Sequence, residues 1–163
     1  MMIIAAAIAI AFPAFARAQS LENAFAFFDQ VMMNRATVLT RHPTVERSIN
    51  HVRFTPTSSQ TSQCRTTIAG NTVPADYFPS ASASIAWTQV IEVRPLSRNA
   101  ERPGLVIIGG GYTRVFNGSG NYDHSTGPTA GITILTGSAA MDTRLTNAIN
   151  VIIANCADRS LGF

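Results

Sequence analysis

Apolar residues recur with a helical period near both ends of this chain and with a period of two between them. After Ser20, a residue type that caps helix N-termini, the first stripe follows i, i+3, i+4 spacing. It consists of Leu21, Ala24, Phe25, Phe28, Val31 and Met32. The second stripe consists of Met141, Leu145, Ala148, Ile149, Ile152 and Cys156. These stripes predict amphipathic helices over residues 20–34 and 141–156.

Alternating apolar and polar positions fill the region from residue 51 to residue 135. Val52, Phe54 and Pro56 share one parity, and a buried-type apolar run spans residues 105–108. The triplet Gly109-Gly110-Gly111 follows that run and predicts a turn or a bulge. The spacing of these segments predicts about five to seven strands.

The order of helix, strands and helix predicts an α+β fold class. We expect an N-terminal helix, an antiparallel curved sheet or open barrel, and a C-terminal amphipathic helix packed on the sheet. Residues 19–163 have the length of a single globular domain, and no internal repeat divides them.

The first 18 residues have the pattern of a secretory signal peptide. An apolar run from Ile3 to Ala11 precedes Ala16-Arg17-Ala18, a small-x-small cleavage site. This run is too short for a membrane span, which needs about 20 apolar residues. We therefore expect cleavage after Ala18, a mature chain without a membrane span, and a periplasmic or secreted location. The alternative is a buried N-terminal helix.

The charge distribution argues against a nucleic-acid partner. All 12 basic residues are Arg, and without Arg17 the chain carries 11 Arg against 9 Asp and Glu. These arginines are dispersed along the chain, whereas nucleic-acid binders concentrate cations on one face.

Two cysteines, Cys64 and Cys156, remain in the mature chain. An even count in an exported protein predicts a disulfide, and two cysteines allow a single intramolecular pairing. Two buried free thiols or a catalytic cysteine are the alternatives, although neither residue lies in a C-x-x-C pair.

Three features follow one another along the chain: the segment Ile85-Ala86-Trp87-Thr88-Gln89-Val90, a Gly-rich strand after it, and a final helix that ends at Cys156. Together they resemble small bacterial exported pleckstrin-homology-like domains. The resemblance covers residues 50–156. It implies a bent sheet that forms two nearly orthogonal sheets, with a C-terminal helix plugging one open corner. The basic loop that binds phosphoinositides in eukaryotic relatives has no counterpart here, so the resemblance implies an architecture and no ligand.

The polar segment from Asn117 to Pro128 predicts an exposed loop, and its first part, to Thr126, is the candidate recognition loop, since loops on a rigid scaffold commonly carry recognition. The candidate residues are Asn117, Ser119, Asn121, Tyr122, Asp123 and His124. Oxygen-bearing side chains alternate there as in calcium loops. One carboxylate is too few, however, and Pro128 stands where an EF-hand places its bidentate Glu.

No catalytic or cofactor motif is present in the sequence. His42, His51 and His124 lack metal-ligand spacing, and the glycine triplet lacks the Lys of a phosphate loop. We therefore predict no cofactor, no metal and a non-enzymatic binding domain for an unknown protein or small-molecule partner. Two alternatives stay open: a small hydrolase using His124 or His51 with a carboxylate brought near by folding, and a solute-binding barrel with an apolar cavity.

Overall fold

The helix–sheet–helix order expected from the sequence is present, and the fold class is α+β. The computed structural model describes residues 12–34, 36–41, 51–73, 79–96, 102–117, 120–125 and 131–160. The helices are α1 (Phe12–Met33) and α2 (Ala139–Ser160), and a short 3-10 helix spans Trp87–Gln89. The strands are β1 (Thr37–Arg41), β2 (His51–Ser62), β3 (Arg65–Thr72), β4 (Ser80–Ala86), β5 (Glu92–Pro95), β6 (Gly104–Ile108), β7 (Gly111–Asn117), β8 (Gly120–Ser125) and β9 (Gly131–Leu135).

The strands form one curved antiparallel sheet that does not close. Their order across the sheet is β5-β6-β9-β1-β2-β3-β4-β7-β8. The described part of the chain thus contains nine strands, whereas the spacing of the segments predicted about five to seven. The additional strands include β1, where β-branched Thr37, Val38 and Thr40 follow the helix, and β8, which lies inside the polar segment after Asn117. A single strand predicted over residues 84–94 is instead two strands, β4 and β5, separated by the 3-10 helix.

Both predicted helices are confirmed, and each extends beyond its apolar stripe. Helix α1 begins at Phe12, upstream of Ser20, and runs through the expected cleavage position after Ala18. Leu21, Ala24, Phe28, Val31 and Met32 of α1 are buried in the core. Among the described residues, no helix has the length and apolarity needed to cross a membrane.

A bulge in β2 changes which side chains of that strand face the helices. Val52, Phe54 and Pro56 are buried, but a register shift between Pro56 and Ser58 inserts an extra residue. A bulge of this kind reverses the parity of the strand. Ser59 and Thr61 therefore lie opposite Ile68 and Thr66, whose side chains face the core.

The turn of this hairpin is Gln63–Cys64, and both residues have positive φ values, 46° and 59°. Two-residue hairpin turns of this conformation favour Asn-Gly, because other residues are strained in the left-handed region. Here the carbonyl oxygen of Cys64 accepts a hydrogen bond from the Trp87 backbone N–H at 2.9 Å. A hydrogen bond from the 3-10 helix therefore stabilises the turn, in addition to the pairing of β2 with β3.

The disulfide predicted between Cys64 and Cys156 is present, with a Cα–Cα distance of 5.6 Å. Both cysteines are buried. The bond ties α2 to the β2–β3 turn across a sequence separation of 92 residues. The chain-entropy model assigns a loop of that length about 4–5 kcal/mol of stabilisation.

The core lies between the two helices and one face of the sheet. Its largest fully buried side chains are Trp87, Phe28, Phe54, Met32, Ile68, Ile85, Leu105, Ile107, Ile132, Ile134, Leu145 and Ile149. The rings of Phe28 and Trp87 meet edge to face, with centroids 5.2 Å apart. This contact packs α1 directly on the 3-10 helix.

Gly109 and Gly110 turn the chain from β6 to β7, as the glycine triplet predicted. They have φ values of 89° and 66°. The two strands they join are not paired with each other: β6 pairs with β5 and β9, and β7 pairs with β4 and β8. The carbonyl oxygen of Gly110 also accepts a hydrogen bond from the Ala86 N–H at 2.8 Å.

Gly110→Ala should destabilise the fold more than Gly137→Ala. Comparing the two variants separates the strain of a positive φ from the overlap of an added Cβ with neighbouring atoms. Both glycines have positive φ, which costs an L-residue about 1–2 kcal/mol. A Cβ at Gly137 meets open space, whereas one at Gly110 overlaps the carbonyl oxygen of Ala86. We expect a further loss of roughly 1–3 kcal/mol for Gly110→Ala, measured by urea unfolding. Equal losses would contradict this account of the turn.

Candidate functional site: a cleft between the two helices

A cleft opens where the C-terminal end of α1 lies beside the first turns of α2. Its volume is about 160 Å³. The lining residues come from the end of α1, from Ala36 just before β1, from the segment that leads into α2 and from the first turns of α2. They are Phe27, Gln30, Val31, Asn34, Ala36, Thr136, Met141 and Arg144.

Helical spacing brings the α1 residues of the cleft to one side of that helix. Phe27, Gln30, Val31 and Asn34, which directly follows the last residue of α1, have i, i+3, i+4, i+7 spacing, and this places them in adjacent turns on one face. Val31 is buried, whereas Gln30 and Asn34 are exposed. The α1 wall is therefore apolar at depth and carries amide groups at its rim.

A hydrogen-bonded cap fixes the start of α2 on the opposite wall. The Thr136 hydroxyl donates to Asp142 Oδ1 at 2.5 Å and accepts from the Ser138 N–H at 3.2 Å. The Met141 N–H donates to Ser138 Oγ at 3.4 Å. A carboxylate in the first turn also suits the positive end of the helix dipole. This cap sets the position of the first turn and so of Met141 and Arg144.

Arg144 contributes a positive charge to the cleft. Its guanidinium carbon lies 4.9 Å from the centroid of the Phe27 ring, a cation–π contact between the two helices. Among the residues that the structure describes, Arg144 has no carboxylate partner.

The chemistry of these walls suits binding. Among the described residues that line the cleft there is no His, Cys or Lys, and the one hydroxyl among them, that of Thr136, donates to Asp142. The arrangement is a cationic, amide-bearing rim over an apolar floor.

A chain of hydrogen bonds behind the cleft positions α1 on the sheet. The indole N–H of Trp87 donates to Thr66 Oγ1 at 2.8 Å, and that oxygen lies 2.7 Å from the Thr61 hydroxyl. Ser59 donates to Asp29 Oδ1 on α1 at 2.6 Å. The bulge in β2 makes this possible, because it turns Ser59 and Thr61 toward the helix.

Thr66→Val should remove the acceptor of the buried indole N–H without creating a cavity. A buried donor left without a partner costs roughly 1–3 kcal/mol. Thr67→Val, at the adjacent exposed position, is the matched control and should change stability by less than about 0.5 kcal/mol. The free energy of unfolding can be followed by emission of Trp87, the one tryptophan of the chain. Similar values for the two variants would show that the hydrogen bond has no stabilising role.

The candidate recognition segment is a strand over most of its length, so the prediction of a loop from Asn117 to Thr126 was wrong. Asn117 ends β7, and Asn121, Tyr122, Asp123 and His124 lie in β8; Ser119 and Thr126 lie outside the described residues. Asn121 pairs with Phe116, Asp123 with Arg114 and His124 with Thr113. Backbone hydrogen bonds build such a ladder, so an edge strand can be as polar as a loop.

The structure does not bring the predicted histidines onto neighbouring strands. His51 begins β2 and pairs with Arg41, whereas His124 lies in β8, and three strands separate β2 from β8 in the sheet. His42 lies outside the described residues. Within the described ranges, no group of three or more His, Cys, Asp or Glu residues could hold a metal ion.

The cleft residues were absent from the sequence-based site prediction. Gln30 and Asn34 lie four positions apart beside the apolar stripe of α1, a pattern that also fits an ordinary solvated face. The contact of Arg144 with Phe27 joins residues far apart in the chain, so no local pattern could reveal it.

Comparison with protein-family models, with curated proteins and with solved structures finds no match to this chain. The resemblance to pleckstrin-homology-like domains therefore stays a prediction.

Proposed function

We propose that this protein is an exported, non-enzymatic binding domain that uses the cleft between α1 and α2 as its binding site. One observation carries the proposal: Arg144 lies on the Phe27 ring beside a cavity of about 160 Å³ and has no carboxylate partner among the described residues. A charged group beside a concave surface with buried apolar side chains is one of the features that ligand-binding sites share.

The export part of the proposal rests on the N-terminal sequence. An apolar run ends in Ala16-Arg17-Ala18, and cleavage after Ala18 leaves a chain that begins at Gln19. A buried disulfide also suits an oxidising compartment such as the periplasm or the extracellular medium.

The scaffold supports binding because the two walls of the cleft are held in place before a ligand arrives. The disulfide anchors α2 to the β2–β3 turn, and the Phe28–Trp87 contact and the Asp29–Ser59 hydrogen bond anchor α1. Preorganised walls lower the entropy cost of binding, so that a small contact area can give a useful affinity.

Gln30→Trp tests this function by placing a bulky side chain on the rim of the cleft. Asn150→Trp, at an exposed position on α2 that does not line the cleft, is the matched control. The wild type and both variants would be expressed with the N-terminal segment intact and recovered from the exported fraction. Molecules retained by each would be compared by quantitative mass spectrometry.

We expect the measured mass of the intact protein to be that of a chain beginning at Gln19. We also expect a retained molecule that the wild type and Asn150→Trp bind and that Gln30→Trp does not bind. Retention by Gln30→Trp equal to that of the wild type would overturn the cleft as the binding site. A mass that still includes residues 1–18 would overturn export by signal cleavage.

A further inference from the structure

We propose that the cleft recognises a single carboxylate carried on a short apolar stem. This inference rests on the proposed function and specifies its ligand class. It follows from four properties of the cleft: the type of cation at its rim, the neighbouring donors, the nearby fixed negative charge, and the size and polarity of its floor.

The cation is an arginine, and its orientation is restricted. A guanidinium presents paired N–H donors in a plane, which match the two oxygens of a carboxylate. Arg144 lies 4.9 Å from the Phe27 ring centroid, and this contact limits the rotamers available to its long side chain. The charged group is thus partly ordered before a carboxylate arrives, which lowers the entropy cost of pairing.

The amide groups of Gln30 and Asn34 supply further donors on the opposite rim. Both side chains are exposed and line the same cavity as Arg144. Each amide carries two N–H donors, and an ionised carboxylate accepts up to about four hydrogen bonds. A carboxylate at the mouth can therefore be bound from both helices at once.

Asp142 favours a single negative charge over a dianion. Its carboxylate accepts a hydrogen bond from Thr136, a lining residue, and so lies near the cleft in the first turn of α2. This fixed negative charge repels a second charge on a ligand. The charge balance therefore favours a monocarboxylate over phosphate or another multiply charged anion.

The interior of the cleft sets the size of the stem. Phe27, Val31 and Met141 are the apolar side chains that line it, together with the small Ala36. A volume of about 160 Å³ is well below the range of roughly 300–1,000 Å³ typical of sites for whole small molecules. A group of side-chain size fits, either the acidic side chain of a partner polypeptide or a free short-chain acid.

The test is an NMR titration of the isotope-labelled protein with pentanoate and, separately, with pentanamide, its uncharged analogue. We expect amide shifts of Gln30, Asn34 and Arg144 to saturate with pentanoate at a concentration roughly tenfold lower than with pentanamide. Arg144→Met keeps an apolar stem and removes the charge, so pentanoate should then need the same concentration as pentanamide to saturate the shifts. Arg53→Met, at an exposed arginine of β2, should leave the difference unchanged.

A second arm distinguishes the two sources of the carboxylate. A short peptide with a central Glu flanked by apolar residues is compared with the same peptide carrying Gln. Selective binding of the Glu peptide identifies a polypeptide partner, and selective binding of pentanoate alone identifies a free acid; either result supports the proposal.

Any one of three results would overturn the carboxylate proposal. They are equal binding of acid and amide in both arms, no binding of any probe, and an Arg144→Met protein that still prefers pentanoate over pentanamide as strongly as the wild type. The proposed function would still stand in that event if Gln30→Trp abolishes retention of the natural ligand. The two proposals can therefore fail separately.

Discussion

Trp87 makes the contacts on which the arrangement of both helices depends. Its indole N–H donates to Thr66 in the sheet, its ring packs on Phe28 of α1, and its backbone N–H donates to the carbonyl oxygen of Cys64. Cys64 in turn bonds covalently to Cys156 of α2. One buried aromatic residue thus joins the sheet, the hairpin turn and, through the disulfide, the second helix.

The cleft is a consequence of this arrangement. With α1 held by Trp87 and by the Asp29–Ser59 hydrogen bond, and α2 held by the disulfide, the two helices lie side by side over the sheet. Their ends near Asn34 and Met141 leave a cavity that neither helix fills. The scaffold therefore determines the distance between the walls, and the rim residues determine the chemistry.

Periodicity predicted the helices, and the glycine triplet predicted the turn after β6, because both signals are local in the sequence. The disulfide followed from an even cysteine count in a chain expected to be exported. The edge strand β8 was missed because it is formed by backbone pairing with β7, and the polarity of its side chains gives no sign of that pairing. The cleft was missed for a related reason: Arg144 and Phe27 lie on different helices, and their contact depends on how the helices pack.

Hydrogen exchange of the backbone amides, before and after reduction of the Cys64–Cys156 disulfide, tests the central role of this junction most directly. The account predicts that reduction lowers protection in α2 and in residues 27–34, which contact the first turns of α2, while β3 and its two partners, β2 and β4, stay protected by their long ladders. Unchanged protection in both helices would contradict it. So would a uniform loss across the sheet, since the helices would then not depend on the junction separately.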